Sequence, residues 1–285
     1  MNIAFSTLAS PDYSPVQIAS AAREYGYDGV ELHVLERTAI SHTVLEQRLP
    51  ELKRAFSDVP ICSITAGGRF ATPDPAARHE MERSVARCLE LALELGCTRI
   101  KTFGGSMPPA LPAGGEDAVF DYMGEHLTRL AHRAAQLGVR LMVETHDDFG
   151  RTRYLEALLD RVPSPAFGAL WDVMHPFRFG DSPEVVDAAL GARVFHVQVK
   201  DCVRIAPGTD TKSWRCVLLG HGELAADVQQ AIRLLARRGY QDWISLDWPK
   251  GVYPDIEGPE VALPQAAPVL RKYIQAARSA AAAPG

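Results

Sequence analysis

Cysteine is sparse. The 285 residues hold five cysteines, an odd number at wide spacing with no Cys-x-x-Cys pair. That argues against a disulfide framework and against a structural zinc knuckle. Cys62, Cys88, Cys97, Cys202 and Cys216 therefore read as small core residues in a reducing compartment. An excess of basic charge is also missing: 30 Lys and Arg against 35 Asp and Glu leave a net charge of −5. Such a balance points to neither a nucleic acid nor an anionic membrane as partner, though a local basic cluster could still meet an anionic substrate. No apolar run approaches the roughly 18 residues of a membrane span, and Met1-Asn2-Ile3-Ala4-Phe5-Ser6 has neither the basic region nor the apolar length of a signal peptide. The expected location is cytoplasmic. No Gly-x-Gly-x-x-Gly follows the first strand, which weighs against a doubly wound dinucleotide-binding sheet.

What the chain does contain is strict alternation. Short β-rich runs lie near 2–6, 28–33, 60–65, 98–103, 139–145, 166–172, 193–199 and 242–248. Helical periodicity covers roughly 15–26, 42–57, 75–95, 117–137, 151–162, 183–190, 222–239 and 259–277. Eight strands alternating with eight helices predict a (β/α)₈ TIM barrel, an α/β fold that takes about 250 residues. One catalytic domain over 1–278 and a C-terminal tail over 279–285, low in complexity, are expected. Four helices stop at a glycine just before a strand, at Gly26, Gly96, Gly138 and Gly239, as left-handed caps would require. Irregular stretches at 104–116 and 201–220 follow the fourth and seventh strands, on the side where barrel loops carry binding residues.

Polar residues at the C-terminal ends of four successive strands are the informative feature. Barrel strands are buried on both faces and should be apolar, so a charge there needs a reason. The fifth strand ends Val143-Glu144-Thr145-His146, and the sixth Trp171-Asp172-Val173-Met174-His175. The seventh reads His196-Val197-Gln198-Val199-Lys200-Asp201, and the eighth Ile244-Ser245-Leu246-Asp247-Trp248. One such carboxylate would be read as a helix cap or a loop ion pair. Three at equivalent rim positions repel one another, and a divalent cation resolves that repulsion. Three carboxylates and an amide oxygen suit Mn²⁺ or Mg²⁺, with Co²⁺ and Zn²⁺ also admissible.

These fragments, with Gly29-Val30-Glu31-Leu32 and Leu219-Gly220-His221-Gly222-Glu223, resemble the sugar phosphate isomerase/epimerase family of xylose-isomerase-like barrels over essentially the whole chain. Hydroxypyruvate isomerases, tagatose and psicose 3-epimerases and inosose dehydratases are among its members. The resemblance implies that Glu144, Asp172, Gln198 and Asp247 ligate one divalent metal. It further implies proton transfer by Glu144 and Asp247 through a metal-stabilised enediolate, acting as an isomerase or epimerase on a small carbohydrate, sugar phosphate or keto-sugar. Many relatives have His where Gln198 stands, whereas hydroxypyruvate-isomerase-like members use Gln in a similar His-x-Gln context. Asp247 stands where most have Glu, one methylene longer.

Substrate contacts are expected from His175, which would polarise a substrate oxygen, and from Arg204, Glu31, His146 and His196. Each has a plainer structural reading. Gly220-His221-Gly222 opens the seventh helix and offers its amides either to a phosphate or to a simple cap. A lyase of the same family, like inosose or dehydroshikimate dehydratase, is the alternative activity. A Schiff-base aldolase using Lys101 or Lys200 is a more distant one, and so is a zinc endonuclease, which lacks its extra histidines here. A homo-oligomer is compatible with this reading.

Overall fold

Each β run of the sequence is followed by an amphipathic helix that can cover it, and the chain closes on itself accordingly. The computed structural model describes residues 1–282. Eight parallel strands form a closed barrel in the order β1 (Asn2–Ser6), β12 (Trp243–Leu246), β9 (Val194–Val199), β8 (Phe167–Asp172), β7 (Arg140–Glu144), β6 (Arg99–Phe103), β5 (Ile61–Arg69) and β2 (Gly29–Leu32). The intervening helices are α1 (Pro15–Glu24), α2 (His42–Ala55), α3 (Pro75–Glu94), α4 (Gly115–Leu137), α5 (Thr152–Arg161), α7 (Pro183–Leu190), α8 (Ala225–Arg237) and α9 (Pro259–Ala282). The residues 279–282 expected in a tail continue α9, and 283–285 lie outside the described residues.

Local chemistry sets the helix ends. Ser14 and Gln17 form a capping box ahead of Pro15, and Asp74 caps α3 ahead of Pro75, each satisfying an amide that helix geometry leaves free. Gly26, Gly96, Gly138 and Gly239 all take positive φ, as the sequence predicted. The core between barrel and helices is continuous, from Ile3 and Phe5 through Leu141 and Phe167 to Leu263 and Leu270.

Three elements depart from the sequence reading. A hairpin of β3 (Val34–Leu35) and β4 (Thr38–Ala39) follows β2. A short helix α6 (Met174–Phe179) follows β8. A hairpin of β10 (Asp201–Arg204) and β11 (Trp214–Val217) occupies the segment read as an irregular loop after β9. In addition, β5 runs past its expected end to Arg69, with register shifts at Gly67, where two glycines of positive φ permit the irregular backbone.

The hairpin of β10 and β11 is fastened at its base. Asp201, buried, accepts four backbone amides: Cys202 at 3.0 Å, Gly220 and Gly222 at 2.9 Å, and Leu224 at 3.0 Å. A Cβ at Gly222 would fall 2.3 Å from an Asp201 oxygen, so glycine is required there. The amides considered for phosphate are thereby committed, those of Gly220 and Gly222 to Asp201 and that of His221 to Leu218 O at 3.0 Å. Within the hairpin, Cys202 and Cys216 pair across the strands as buried free thiols, with Sγ atoms 3.0 Å apart.

Candidate active site

The register of the barrel brings the polar strand ends together. Asp172 pairs with Gln198, and Gln198 with Ser245, two residues before Asp247; Glu144 closes β7 beside Leu170. Asp172 and Gln198 are fully buried, and Glu144 and Asp247 nearly so. Glu31 on β2 is enclosed beneath them. Four carboxylates thus share a low-dielectric space.

Two lysines answer them. Lys101, fully buried in the middle of β6, places its ammonium 3.0 Å from Glu31 Oε1 and 2.8 Å from Glu144 Oε2. Lys200, just past β9, bridges Asp172 and Asp247, the latter at 2.5 Å. Burial alone would lower both ammonium pKa values, but the adjacent carboxylates outweigh it and hold both above the ordinary range. A protonated amine has no lone pair for a carbonyl carbon, which counts against the Schiff-base aldolase. Sequence reasoning weighed these lysines only as nucleophiles. The missed signal was a charge inside the apolar run Ile100-Lys101-Thr102-Phe103, since such a charge must be paired when buried.

The carboxylates respond unequally. Burial pushes the Asp172 carboxyl up, Lys200 opposes this, and the charges of Asp247 and Glu144 reinforce it, leaving Asp172 at about 6. Burial also raises Asp247, but Lys200 and Lys101 more than offset it, and Asp247 lies below its ordinary value. Glu31 is treated likewise: burial raises it, while Lys101 and His196 bring it well below the usual carboxylate range. Four carboxylates facing two ammoniums leave two negative charges over when all are ionised.

That surplus, and one orphaned atom, bear on whether a divalent cation suits these residues. Gln198 donates from Nε2 to Glu31 Oε1 at 2.7 Å, and its buried Oε1 has no hydrogen-bond partner. An amide oxygen without a donor, among carboxylates carrying a net surplus of two charges, fits one hard divalent ion. Glu144, Asp172, Gln198 and Asp247 would hold it, in the region where the Lys200 ammonium joins the two aspartates. Among the described residues, the tightest grouping of potential ligand atoms is a different one. Glu144, His146 and His175 offer atoms all within 4.8 Å of one another.

A cavity of about 270 Å³ opens over this floor. Its polar lining comes from Glu144, Asp247, Lys200, His33, His146 and His175, and its apolar lining from Leu8, Phe103, Trp214, Val252 and Tyr253. Burial lowers the pKa of His33 to about 4, aided by Lys101. The same cause, with His146 next, takes His175 well below its ordinary value, so both rings are neutral near pH 7.

Of the residues expected to meet substrate, His146 and His175 line the cavity, whereas Glu31, His196 and Arg204 do not. Glu31 and His196 lie under it, fully buried; His196 Nε2 sits 2.7 Å from Ser245 Oγ and 3.4 Å from Glu31 Oε2. Arg204 is carried outward by β10. Its guanidinium packs 4.2 Å over the Trp214 ring and donates to Gly208 O at 3.2 Å. It therefore backs the wall that Trp214 presents. Among the cavity residues that sequence reasoning missed, Arg69 comes from the extended β5 and Trp214 from the hairpin, while Leu8 follows β1 and Val252 and Tyr253 follow β12.

Comparison with known proteins bears on the fold. No curated protein matches the chain in sequence. Among solved structures, an L-ribulose 3-epimerase superposes with a TM-score of 0.76 at 14% identity, over 98% of this chain and 96% of that one. A probable 3-DHS dehydratase from Bacillus anthracis gives 0.74 at 17% identity, over 95% and 99%. The IOLI protein with a bound zinc atom gives 0.74 at 16% identity, over 98% and 99%. At these identities the likeness is one of fold. The family model described as the xylose isomerase-like TIM barrel matches residues 19–273, and with it the chain belongs to the xylose isomerase-like TIM barrel family.

Proposed function

We propose that this protein is a divalent-metal-dependent isomerase or epimerase that transfers a proton beside the carbonyl of a small carbohydrate. The observation that carries the reading is the cavity floor, where the Glu144 and Asp247 carboxylates face the space a substrate would fill, over a buried cluster with surplus negative charge. A zinc atom in one structural neighbour and epimerases among the others support it.

A divalent ion held by Glu144, Asp172, Gln198 and Asp247 would supply positive charge to a carbonyl oxygen. The chain does the rest. Glu144 takes the proton from the carbon next to the carbonyl, and the C–H electron pair moves toward the carbonyl oxygen. His175 is placed to donate a hydrogen bond to that oxygen. For isomerisation Glu144 then returns the proton to the former carbonyl carbon, while the proton of the adjacent hydroxyl passes to the former carbonyl oxygen. Epimerisation instead needs a proton delivered to the same carbon from the opposite face, the task open to Asp247 after it takes one up from solvent. Asp247 is held as a carboxylate by Lys200 and Lys101, and it is one methylene shorter than Glu. It is the weaker proton carrier of the two, and Glu144 is the principal one.

Trp214 and Tyr253 give the cavity apolar surface on which the C–H face of a sugar ring can pack. A panel of ketoses, inososes and hydroxypyruvate in D₂O, with Mn²⁺ or Mg²⁺ supplied, tests the proposal. Isomerised or epimerised product carrying solvent deuterium, lost on chelation and in Glu144→Gln, is expected. Release of water with a conjugated product would assign the lyase instead, and full activity in the presence of chelator would remove the metal.

A further inference from the structure

His175 stands at the start of α6 with two ring nitrogens in different surroundings. Nε2 is buried, has no hydrogen-bond partner, and lies 3.7 Å from Asp172 Oδ2, in a residue that lines the cavity. Nδ1 accepts a hydrogen bond from Arg178 Nε at 3.2 Å. Arg178 is one turn further along α6 and itself buried, an uncommon position for a guanidinium with no carboxylate bonded to it. Its remaining nitrogens donate to backbone carbonyls instead: Nη2 to Asp147 O at 2.6 Å, and Nη1 to Thr209 O. Asp147 turns that carbonyl inward by adopting a left-handed backbone, with φ of 49°, a conformation that surrounding contacts must enforce in a non-glycine residue.

A guanidinium has donors only and does not lose its proton in proteins. Whatever nitrogen it faces must therefore carry a lone pair. For His175 this settles the tautomer: Nδ1 is the acceptor, and the ring proton of the neutral imidazole is on Nε2. A protonated Nδ1 would set N–H against N–H.

We propose that Arg178 is a positioning residue that locks His175 in the Nε2–H form, so that the ring presents a hydrogen-bond donor, and no metal-binding lone pair, to an oxygen in the cavity. The identity of that oxygen as a substrate carbonyl rests on the function proposed above; the tautomer does not. One consequence concerns the grouping of Glu144, His146 and His175. Although close enough to share an ion, it lacks one of its three lone pairs, and His175 is not a ligand. A second is that one side chain ties α6 to the segment after β7 and to the tip of the β10–β11 hairpin, so the donor is held in register with both.

The test is ¹⁵N NMR of the histidine rings in the full chain as purified, with His175 assigned through the signals missing from His175→Gln. At pH 7.5 the wild type is expected to give one pyrrole-type nitrogen at Nε2 and one pyridine-type nitrogen at Nδ1, a protonation pattern kept on adding stoichiometric Zn²⁺. Arg178→Met should lose this pattern to a tautomer mixture, and Arg178→Lys, which keeps a donor-only cation, should retain it. A wild-type His175 protonated at Nδ1 or at both nitrogens overturns the proposal, as does loss of the pyrrole-type signal at Nε2 on adding Zn²⁺. So does a pattern kept in folded Arg178→Met or lost equally in both variants, which would indicate packing alone. Should the methionine variant fail to fold, the wild-type and lysine spectra still decide. No substrate enters these measurements, so an inactive carbohydrate panel would defeat the proposed function and leave them standing.

Discussion

Replacing Lys101 by methionine isolates the energetic role of the ammonium, because methionine fills a similar volume without charge. The ammonium is fully buried between Glu31 and Glu144, so its loss strands buried carboxylates rather than exposed ones. Removing one partner of a buried ion pair costs roughly 3–5 kcal/mol. With an unfolding entropy of about 2.1 cal/mol/K per residue, a chain of 285 residues then melts about 5–8 °C lower. The pH dependence gives the sharper check. In the wild type, Glu31 is held below its ordinary value chiefly by Lys101 working against burial. Its contribution to stability is present above the unfolded carboxylate pKa of roughly 4.3 and is lost as pH falls. Without Lys101, burial dominates and the Glu31 pKa rises above the unfolded value. The folded variant then binds the proton more readily than the unfolded chain, so the penalty is largest at pH 8 and shrinks toward pH 5. Calorimetric or urea-induced unfolding of both proteins at the two pH values, in chelator, measures this. A loss under about 1 kcal/mol at pH 8, far below the cost of a stranded buried charge, would refute the reasoning. A loss that grows on acidification would refute it as well.

Three further outcomes are expected. Asp247→Asn should reduce turnover less than Glu144→Gln on whichever carbohydrate proves active; the reverse order, with metal content unchanged, would exchange the two roles. His33 is kept neutral by burial down to a pKa of about 4, so the unfolded chain takes up that proton first and wild-type stability falls as pH drops from about 6.5 toward 4. His33→Asn should flatten that part of a pH–stability curve, and an identical slope in the two proteins would mean the ring is accessible to protons. Asp201→Asn should cost about 1.5–3 kcal/mol in urea unfolding, the worth of hydrogen bonds to a charged acceptor, and an unchanged midpoint would show that the carboxylate is dispensable.

The barrel was legible because each strand and each helix carries its own period, and Gly26, Gly96, Gly138 and Gly239 mark the stops. Glu144, Asp172, Gln198 and Asp247 were legible for a related reason: a polar residue at the end of a buried strand stands out from its neighbours. What stayed hidden depends on pairing between distant segments. Lys101 meets Glu31 and Glu144, which lie on strands far from it in sequence, and no local pattern announces those contacts. Arg178 looks like an ordinary helix-end cation until its three acceptors are seen to come from three different segments. The β10–β11 hairpin was obscured by its own tip, Ala206-Pro207-Gly208-Thr209-Asp210, which reads as loop. The alternation that betrays it, Trp214 and Cys216 buried with Arg215 exposed, spans too few residues to register as a strand.

The Asp201 clip makes the hairpin a detachable module. Chain entry at Cys202 and chain exit at Gly220, Gly222 and Leu224 are stapled to the same carboxylate, so the length and composition of the intervening tip are decoupled from the barrel's register. Trp214, which furnishes part of the cavity wall, belongs to that module. Grafting a different tip between the stapled ends, with the Thr209 carbonyl that Arg178 binds preserved, should therefore re-tailor which substrates are admitted while the acid–base floor stays intact, and this scaffold could diversify its specificity by loop exchange without rebuilding its chemistry.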